Sequence, residues 1–173
     1  QTFNAQNRLA SVSDGTDTWT FVYDGDGNRI KQINPDSTIT LFLGGGIFTV
    51  EDAAGTPAVT KYFSIAGQRV AMYDGSDLQF LLTDHLGSVS TILDDVGGVI
   101  SQQRYMPFGE ARLAPGVSET DFSYTGQRGL DAIGLIDYNA RWYGQGIGRF
   151  TQPDTIVPGA GNPQALNRYS YVL

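Results

Sequence analysis

No cysteine occurs anywhere in this sequence, and histidine occurs once. The first absence excludes the disulfide staples on which small secreted folds often depend, so burial alone must hold this chain. No cysteine and a single histidine also exclude thiol catalysis and leave too few ligands for a zinc site. Any histidine-based triad would have to use His85. Asp84 and Ser88 are near it in sequence, but triads are defined by geometry and not by chain proximity, so His85 reads as a hairpin-turn residue with a hydrogen-bonding role. Basic residues are also scarce. Eleven Lys and Arg face 18 Asp and Glu, for a net charge of −7, which argues against a nucleic-acid partner, since phosphate binding needs clustered positive charge. No apolar run reaches the ~18 residues of a membrane-spanning helix, so no membrane insertion is expected. No basic segment followed by an apolar stretch opens the chain. It begins at Gln1, which reads as a processed or excerpted start, with any export signal lying upstream.

What the chain has instead is glycine, 22 residues of 173, and short alternating segments. "TWTFVY" places Trp19, Phe21 and Tyr23 on one face. "TITLFL" groups Ile39, Leu41 and Leu43; "LQFLLT" groups Leu78, Phe80 and Leu82; "SVSTIL" groups Val89, Thr91 and Leu93. Period two is the signature of strands with one buried face. Glycine and Asx clusters separate them: "DGDGN" at 24–28, "GGG" at 44–46, "AAGTP" at 53–57, "YDGSD" at 73–77 and "DDVGG" at 94–98. Each reads as a hairpin connection. Gly27, Gly46, Gly67 and Gly87 recur at intervals of 19, 21 and 20 residues, and "GNRI" at 27–30 returns as "GQRV" at 67–70. A period near 20 fits a two-strand unit with its turns, and such units bury a face by stacking on neighbours. After residue 105 the pattern breaks: prolines, aromatics and glycines replace the alternation, and only "DAIGLIDYNARWYG" holds a plausible helical turn. The expectation is hairpin repeats over 1–105 and an irregular plug over 106–173.

The chemical motifs are weak. "DGDGN" fails as a calcium loop, because positions six and twelve hold Arg29 and Pro35 instead of Gly and Glu. "GQGIG" at 144–148 lacks the strand–helix context of a dinucleotide fingerprint. No cofactor or metal is expected. The plug does concentrate charge: Asp131, Asp137 and Asp154 with Arg128, Arg141 and Arg149. Paired carboxylates in a dry site can activate water. The same residues can instead form buried ion pairs or stack on Tyr138, Trp142 and Tyr143, and this structural role is favoured.

The order of the motifs resembles the Rhs/YD-repeat family. "YDGDGNRI" is similar to a YD repeat, "TDHLGSVSTILDDVGGVI" to the lead into the Rhs-associated core, "YMPFGE" to its Y-x-P-[FY]-G-E element, "YTGQRGLDAIGLIDYNARWYGQGIGRFTQPD" to the core itself, and "NRYSYV" to its ending. Gly144 and Gln145 stand where the family usually has Asp-Pro. The resemblance implies an all-β fold, in which antiparallel YD hairpins form a curved or spiralling sheet and an aromatic, Gly-rich plug closes it. It implies a structural shell that encloses or presents its own C-terminal effector, with secretion or a cell-surface location. It also implies single-turnover aspartyl self-cleavage, with Asp154 as acid or base, Arg149 orienting a carboxylate, and Asp131 as a weaker candidate. The family's Asp-Pro-x-Gly-Leu cleavage element is not present up to Leu173. Two alternatives stay open. One is a filament or tube of copies of the chain, because sheet edges can pair. The other is a binding module, for instance for carbohydrate, if Trp19 or Trp142 faces solvent.

Overall fold

The computed structural model describes residues 1–53, 55–113, 116, 118–156 and 161–172. Three antiparallel sheets account for its regular structure, and no α-helix occurs among the described residues. The largest has eleven strands in strict chain order: β1 (Thr2–Phe3), β2 (Leu9–Ser13), β3 (Thr18–Tyr23), β4 (Arg29–Ile33), β5 (Ile39–Leu43), β6 (Phe48–Ala53), β7 (Thr56–Ile65), β8 (Gln68–Tyr73), β9 (Leu78–Thr83), β10 (Val89–Leu93) and β11 (Val99–Gln102). It is an open sheet that grows by hairpins. Each glycine- or Asx-rich cluster identified in the sequence falls at a connection, although Ala54 lies outside the described residues. A hairpin of β12 (Arg104–Tyr105) and β13 (Ala111–Leu113) follows. A four-stranded meander then forms from β14 (Arg128–Leu130), β15 (Leu135–Asp137), β16 (Trp142–Gly144) and β17 (Arg149–Phe150).

One turn recurs. In the β3–β4 connection Asp24 N–H bonds the Asn28 carbonyl at 3.0 Å and Gly27 N–H bonds the Asp24 carbonyl at 3.1 Å. The same pair of bonds closes 84–88 and 94–98. The aspartate side chain reinforces it: Asp24 Oδ1 accepts from the N–H of Asp26 at 3.0 Å and of Asn28 at 2.8 Å, and Asp84 does the same with Leu86 and Ser88 at 2.8 and 2.9 Å. These bonds to the charged form hold the Asp24 carboxyl below the usual range, the Asn28 side-chain amide contributing most. The fourth turn residue needs a left-handed backbone, which only glycine adopts without a Cβ penalty; Gly27 has φ +85° and Gly87 φ +82°. Aspartate and glycine in the YD unit therefore have separate jobs in one turn.

The glycine period also acquires a meaning. Two strands and two turns return the chain to the same end of the sheet, so Gly27, Gly46, Gly67 and Gly87 lie in one row of connections.

Burial departs from the alternation in three strands. In β3 the expected face is inward, with Trp19 and Phe21 buried. In β5 the buried residues are Thr40 and Phe42, not Leu43, and in β9 they are Gln79 and Leu81, while Leu78, Phe80 and Leu82 face outward. In β10 a register shift between Val89 and Thr91 lets Val89 and Ile92 share the inner face. "DAIGLIDYNARWYG" forms one 3-10 turn at Asp131–Ile133, then β15 and β16. Gly134 at φ +63° ends the turn before a helix can propagate.

Candidate functional site

The four-stranded meander has two faces with different chemistry. Its register aligns Arg128 with Asp137 and Asp137 with Trp142, so these side chains share one face and meet the eleven-stranded sheet. There Trp142 and Leu135 pack with Leu9, Val12, Trp19 and Phe21. The other face carries Ile136, Tyr143 and Phe150 and packs with Tyr124, Tyr105, Tyr138 and Tyr171. Tyr138 and Tyr171 join their hydroxyls at 2.7 Å, and Thr125 adds a third at 2.6 Å.

Three arginines cross the first interface. Arg29 opens β4 and Arg69 lies in β8, and each follows a register shift in its hairpin, between Val22 and Tyr23 and between Phe63 and Ser64. Such bulges re-aim a side chain. Arg128 comes from the meander. Arg29 Cζ lies 5.0 Å from the Trp142 ring centre and 4.4 Å from that of Phe42. Arg128 Cζ lies 4.9 Å from Phe42 and 4.0 Å from Phe122. Arg69 Cζ lies 3.0 Å from Phe122. Consecutive arginines thus share a ring, Phe42 and then Phe122, and form a ladder of alternating cations and aromatics. Cation–π contacts of this kind are worth about 2 kcal/mol when desolvated. Arg29 Nε meets Asp137 Oδ2 at 3.0 Å with both side chains almost wholly buried, and its Nη1 donates to Gln32 Oε1 at 2.9 Å. Arg128 Nη1 is paired with Asp121, and its Nη2 donates to the Gly46 carbonyl at 3.1 Å. Burial lowers the Arg29 pKa, and the Asp137 charge opposes that shift.

Beside the ladder is a cavity of about 900 Å³. The row of turns containing Gly46, Gly67 and Gly87 lines one side, and the 122–139 segment lines the other. His85 is exposed at its rim, in the turn before β10. Its ring makes no hydrogen bond among the described residues, contrary to the role expected for it.

The sequence-derived site residues are dispersed. Asp154 Oδ2 pairs with Arg141 Nη2 at 2.9 Å, not with Arg149. Its Oδ1 accepts from Ile156 N–H at 2.9 Å, and Arg141 Cζ stacks 3.8 Å from the Phe150 ring centre. Arg149 is exposed in β17, where its backbone bridges Ser170. Asp131 opens the 3-10 turn after β14. Desolvation, then the Asp121 charge, raise its carboxyl above the ordinary range. No ion pair or hydrogen bond joins it to Asp154 among the described residues. Gln145, in place of the family's Asp-Pro, donates from Nε2 to the Gly109 carbonyl at 3.1 Å and from its backbone N–H to the Gly134 carbonyl at 3.0 Å. It therefore ties two turns together. Trp19 and Trp142 are 6% and 1% exposed, so neither offers a ring to a sugar.

The Teneurin YD-shell sequence model matches residues 62–172. The chain belongs to the Teneurin YD-shell family. Among curated proteins, this YD-shell chain is 36% identical to salivary gland surface protein 1 of Aedes aegypti over 79 residues, which are 44% of the chain and 2% of that protein. It is 26% identical to toxin subunit YenC1 of Yersinia entomophaga, in a match covering 98% of the chain and 20% of the subunit. The crystal structure of TcdB2-TccC3 superposes with a TM-score of 0.77 at 22% identity, covering 98% of the chain and 10% of that one. A Photorhabdus luminescens Tc holotoxin pore gives 0.74 at 22% identity, covering 98% and 9%. The YD-shell chain thus spans a fifth of YenC1 and about a tenth of the solved chains, and shares their all-β fold.

Proposed function

We propose that this chain is a wall-and-plug segment of a YD shell, which encloses or presents a polypeptide effector carried on the same protein. In this reading residues 1–105 form the wall and 106–173 the plug. The observation that carries it is the arginine–aromatic ladder, which fastens a sheet that can lengthen hairpin by hairpin to a compact meander and leaves a cavity between them. The fold shared with toxin subunits supports an extracellular destination. The test is limited proteolysis of the full-length protein. The segment downstream of the plug is expected to resist trypsin while the shell is folded, and to be digested once Trp142→Ala loosens the plug. Equal digestion in both proteins would refute enclosure.

Self-cleavage forms part of the same proposal. Asp154 would serve as the acid or base, and its ion pair makes Arg141, in preference to Arg149, the residue that orients its carboxylate. Asp154→Asn in the full-length protein is expected to leave the chain uncut.

A second reading rests on the outer face of the sheet. The register aligns Phe63 with Ala71 and Ala71 with Phe80, and both rings are more than a third exposed, as is Leu82. This apolar row suits contact between copies of the chain. Sedimentation that stays monomeric across a hundredfold concentration range would remove it.

A further inference from the structure

The ladder contains three arginines but only two of them meet carboxylates. Asp137 serves Arg29 and Asp121 serves Arg128. Arg69, at the end of the ladder, has no carboxylate partner among the described residues. Its one hydrogen-bond acceptor among the described residues is the Gly126 carbonyl, at a long 3.4 Å. The side chain is half-buried, with Phe122 covering one face of the guanidinium. It lines the 900 Å³ cavity.

The acids of that cavity are already engaged. Asp24 and Asp84 direct Oδ1 at the backbone N–H groups of their own turns. Asp137 is divided between Arg29 and the Asn139 N–H. Desolvation, and then the neighbouring Arg128 charge, bring the Arg69 pKa down to about 10, so it remains a cation at neutral pH. A cation that is stacked, partly desolvated and short of acceptors is a strong site for a planar anion, because a guanidinium offers paired N–H donors in the spacing of a carboxylate. Arg29 and Arg128 show the same arrangement completed within the chain: a ring against the guanidinium and a carboxylate at its N–H groups.

We infer that Arg69 binds a carboxylate that enters the cavity, supplied either as a small free anion or as an Asp, Glu or terminal carboxylate of a polypeptide held against this face. Gln127 and Thr83 line the same cavity; Gln127 Nε2 makes one long bond, at 3.5 Å to the Thr125 carbonyl, and the Thr83 hydroxyl accepts from Gln68 Nε2 and keeps its own proton for a ligand larger than acetate.

The test is a titration followed by the Arg69 Nε–Hε resonance, assigned in the wild type by through-bond correlation to the Arg69 backbone and checked by its loss in Arg69→Lys, in weakly acidic buffer at constant ionic strength. Sodium acetate is expected to shift it saturably, with half-saturation on the order of 10 mM for a single charge-assisted pair. Sodium chloride is expected to leave it unmoved. The peptide acetyl-Gly-Glu-Gly-amide forms the second arm. Binding at least threefold tighter than acetate assigns the carboxylate to a polypeptide, and equal binding assigns it to a free anion. In Arg69→Gln the acetate-dependent shifts of the Gly126 and Gln127 amides should disappear. The inference is overturned if neither ligand gives a saturable shift, if chloride matches acetate, or if Arg69→Gln keeps the amide shifts. The wild-type titration decides the matter even if both variants fold poorly. It does not depend on enclosure of an effector.

Discussion

Asp137→Asn is the substitution that most directly tests the junction between the large sheet and the meander. The carboxylate accepts from Arg29 Nε at 3.0 Å through Oδ2 and from Asn139 N–H at 2.8 Å through Oδ1. Asparagine can keep the second bond with its carbonyl oxygen, but it then turns an NH₂ group toward the Arg29 N–H, donor against donor. The loss of charge matters more. Two unit charges about 4 Å apart interact by about 4 kcal/mol at an effective dielectric constant of 20. The Arg29 side chain is 5% exposed, so solvent does little to replace its partner. Breaking one side of a buried pair costs about 3–5 kcal/mol. For a chain of this size each kcal/mol lowers Tm by about 2–4 °C, which predicts a fall of roughly 6–20 °C. Urea unfolding followed by tryptophan fluorescence is the assay, because Trp19 and Trp142 are both buried in the interface. The cost should persist in high salt, since ions do not reach the pair. Arg29→Met combined with Asp137→Leu should cost less than the sum of the single changes, because it leaves no stranded charge. A cost below about 1 kcal/mol for Asp137→Asn would refute the idea that this pair fastens the two sheets.

Gly67→Ala has open space around the new methyl but φ is +82°, so it should cost only the left-handed penalty of about 1–2 kcal/mol. Gly109→Ala has φ +92° and would bring its Cβ within 2.7 Å of Tyr124 Cδ1, adding about 1–3 kcal/mol of overpacking; equal urea midpoints for the two variants would contradict this. Burial pushes the Tyr143 phenol up to about 12, and the Tyr23 and Tyr62 phenols upward as well. The unfolded chain loses these protons near pH 10 and the folded chain holds them longer, so stability should fall between about pH 10 and 12. A urea midpoint that is flat through that window would argue against it. Asp154→Asn should cost less than about 1 kcal/mol, reduced further by salt, because its pair with Arg141 is partly exposed. Loss of self-cleavage in the full-length variant without loss of stability would separate its chemistry from packing.

The hairpin order of the large sheet was legible because turn chemistry is local. Asp and Gly at fixed offsets specify the turn at 24–28 whatever surrounds it, and the recurrence near 20 residues marks one row of such turns. The phase of burial was not legible in β5 and β9. Both faces of "TLFL" and "FLLT" are apolar, so alternation marks a strand without saying which side is covered. In β10 an unpaired residue at the bulge changes the phase within the strand, and no composition signal announces it.

The ladder was visible in the sequence only in part. "GNRI" returns as "GQRV", with an arginine two residues after a glycine of positive φ, and the structure puts Arg29 and Arg69 at the same end of the sheet. Their partners come from elsewhere in the chain: Phe42 from β5, Phe122 and Arg128 from either side of the 124–126 turn, and Asp137 and Trp142 from the meander. Spacing in sequence carries no information about such a stack, because each contact depends on the register of a different pair of strands. The same reason accounts for Arg141. "GRFTQPD" puts Arg149 nearer to Asp154 in sequence, yet the meander turns Arg149 outward and brings Arg141 across Phe150 to the carboxylate. Reversing the pairing tests this directly. In double-mutant cycles against Asp154→Asn, Arg141→Met should show a coupling of about 0.2–1 kcal/mol, because it removes the cation at 2.9 Å, whereas Arg149→Met should be additive. The opposite result would return Asp154 to Arg149 and show that nearness in the chain had been the better guide.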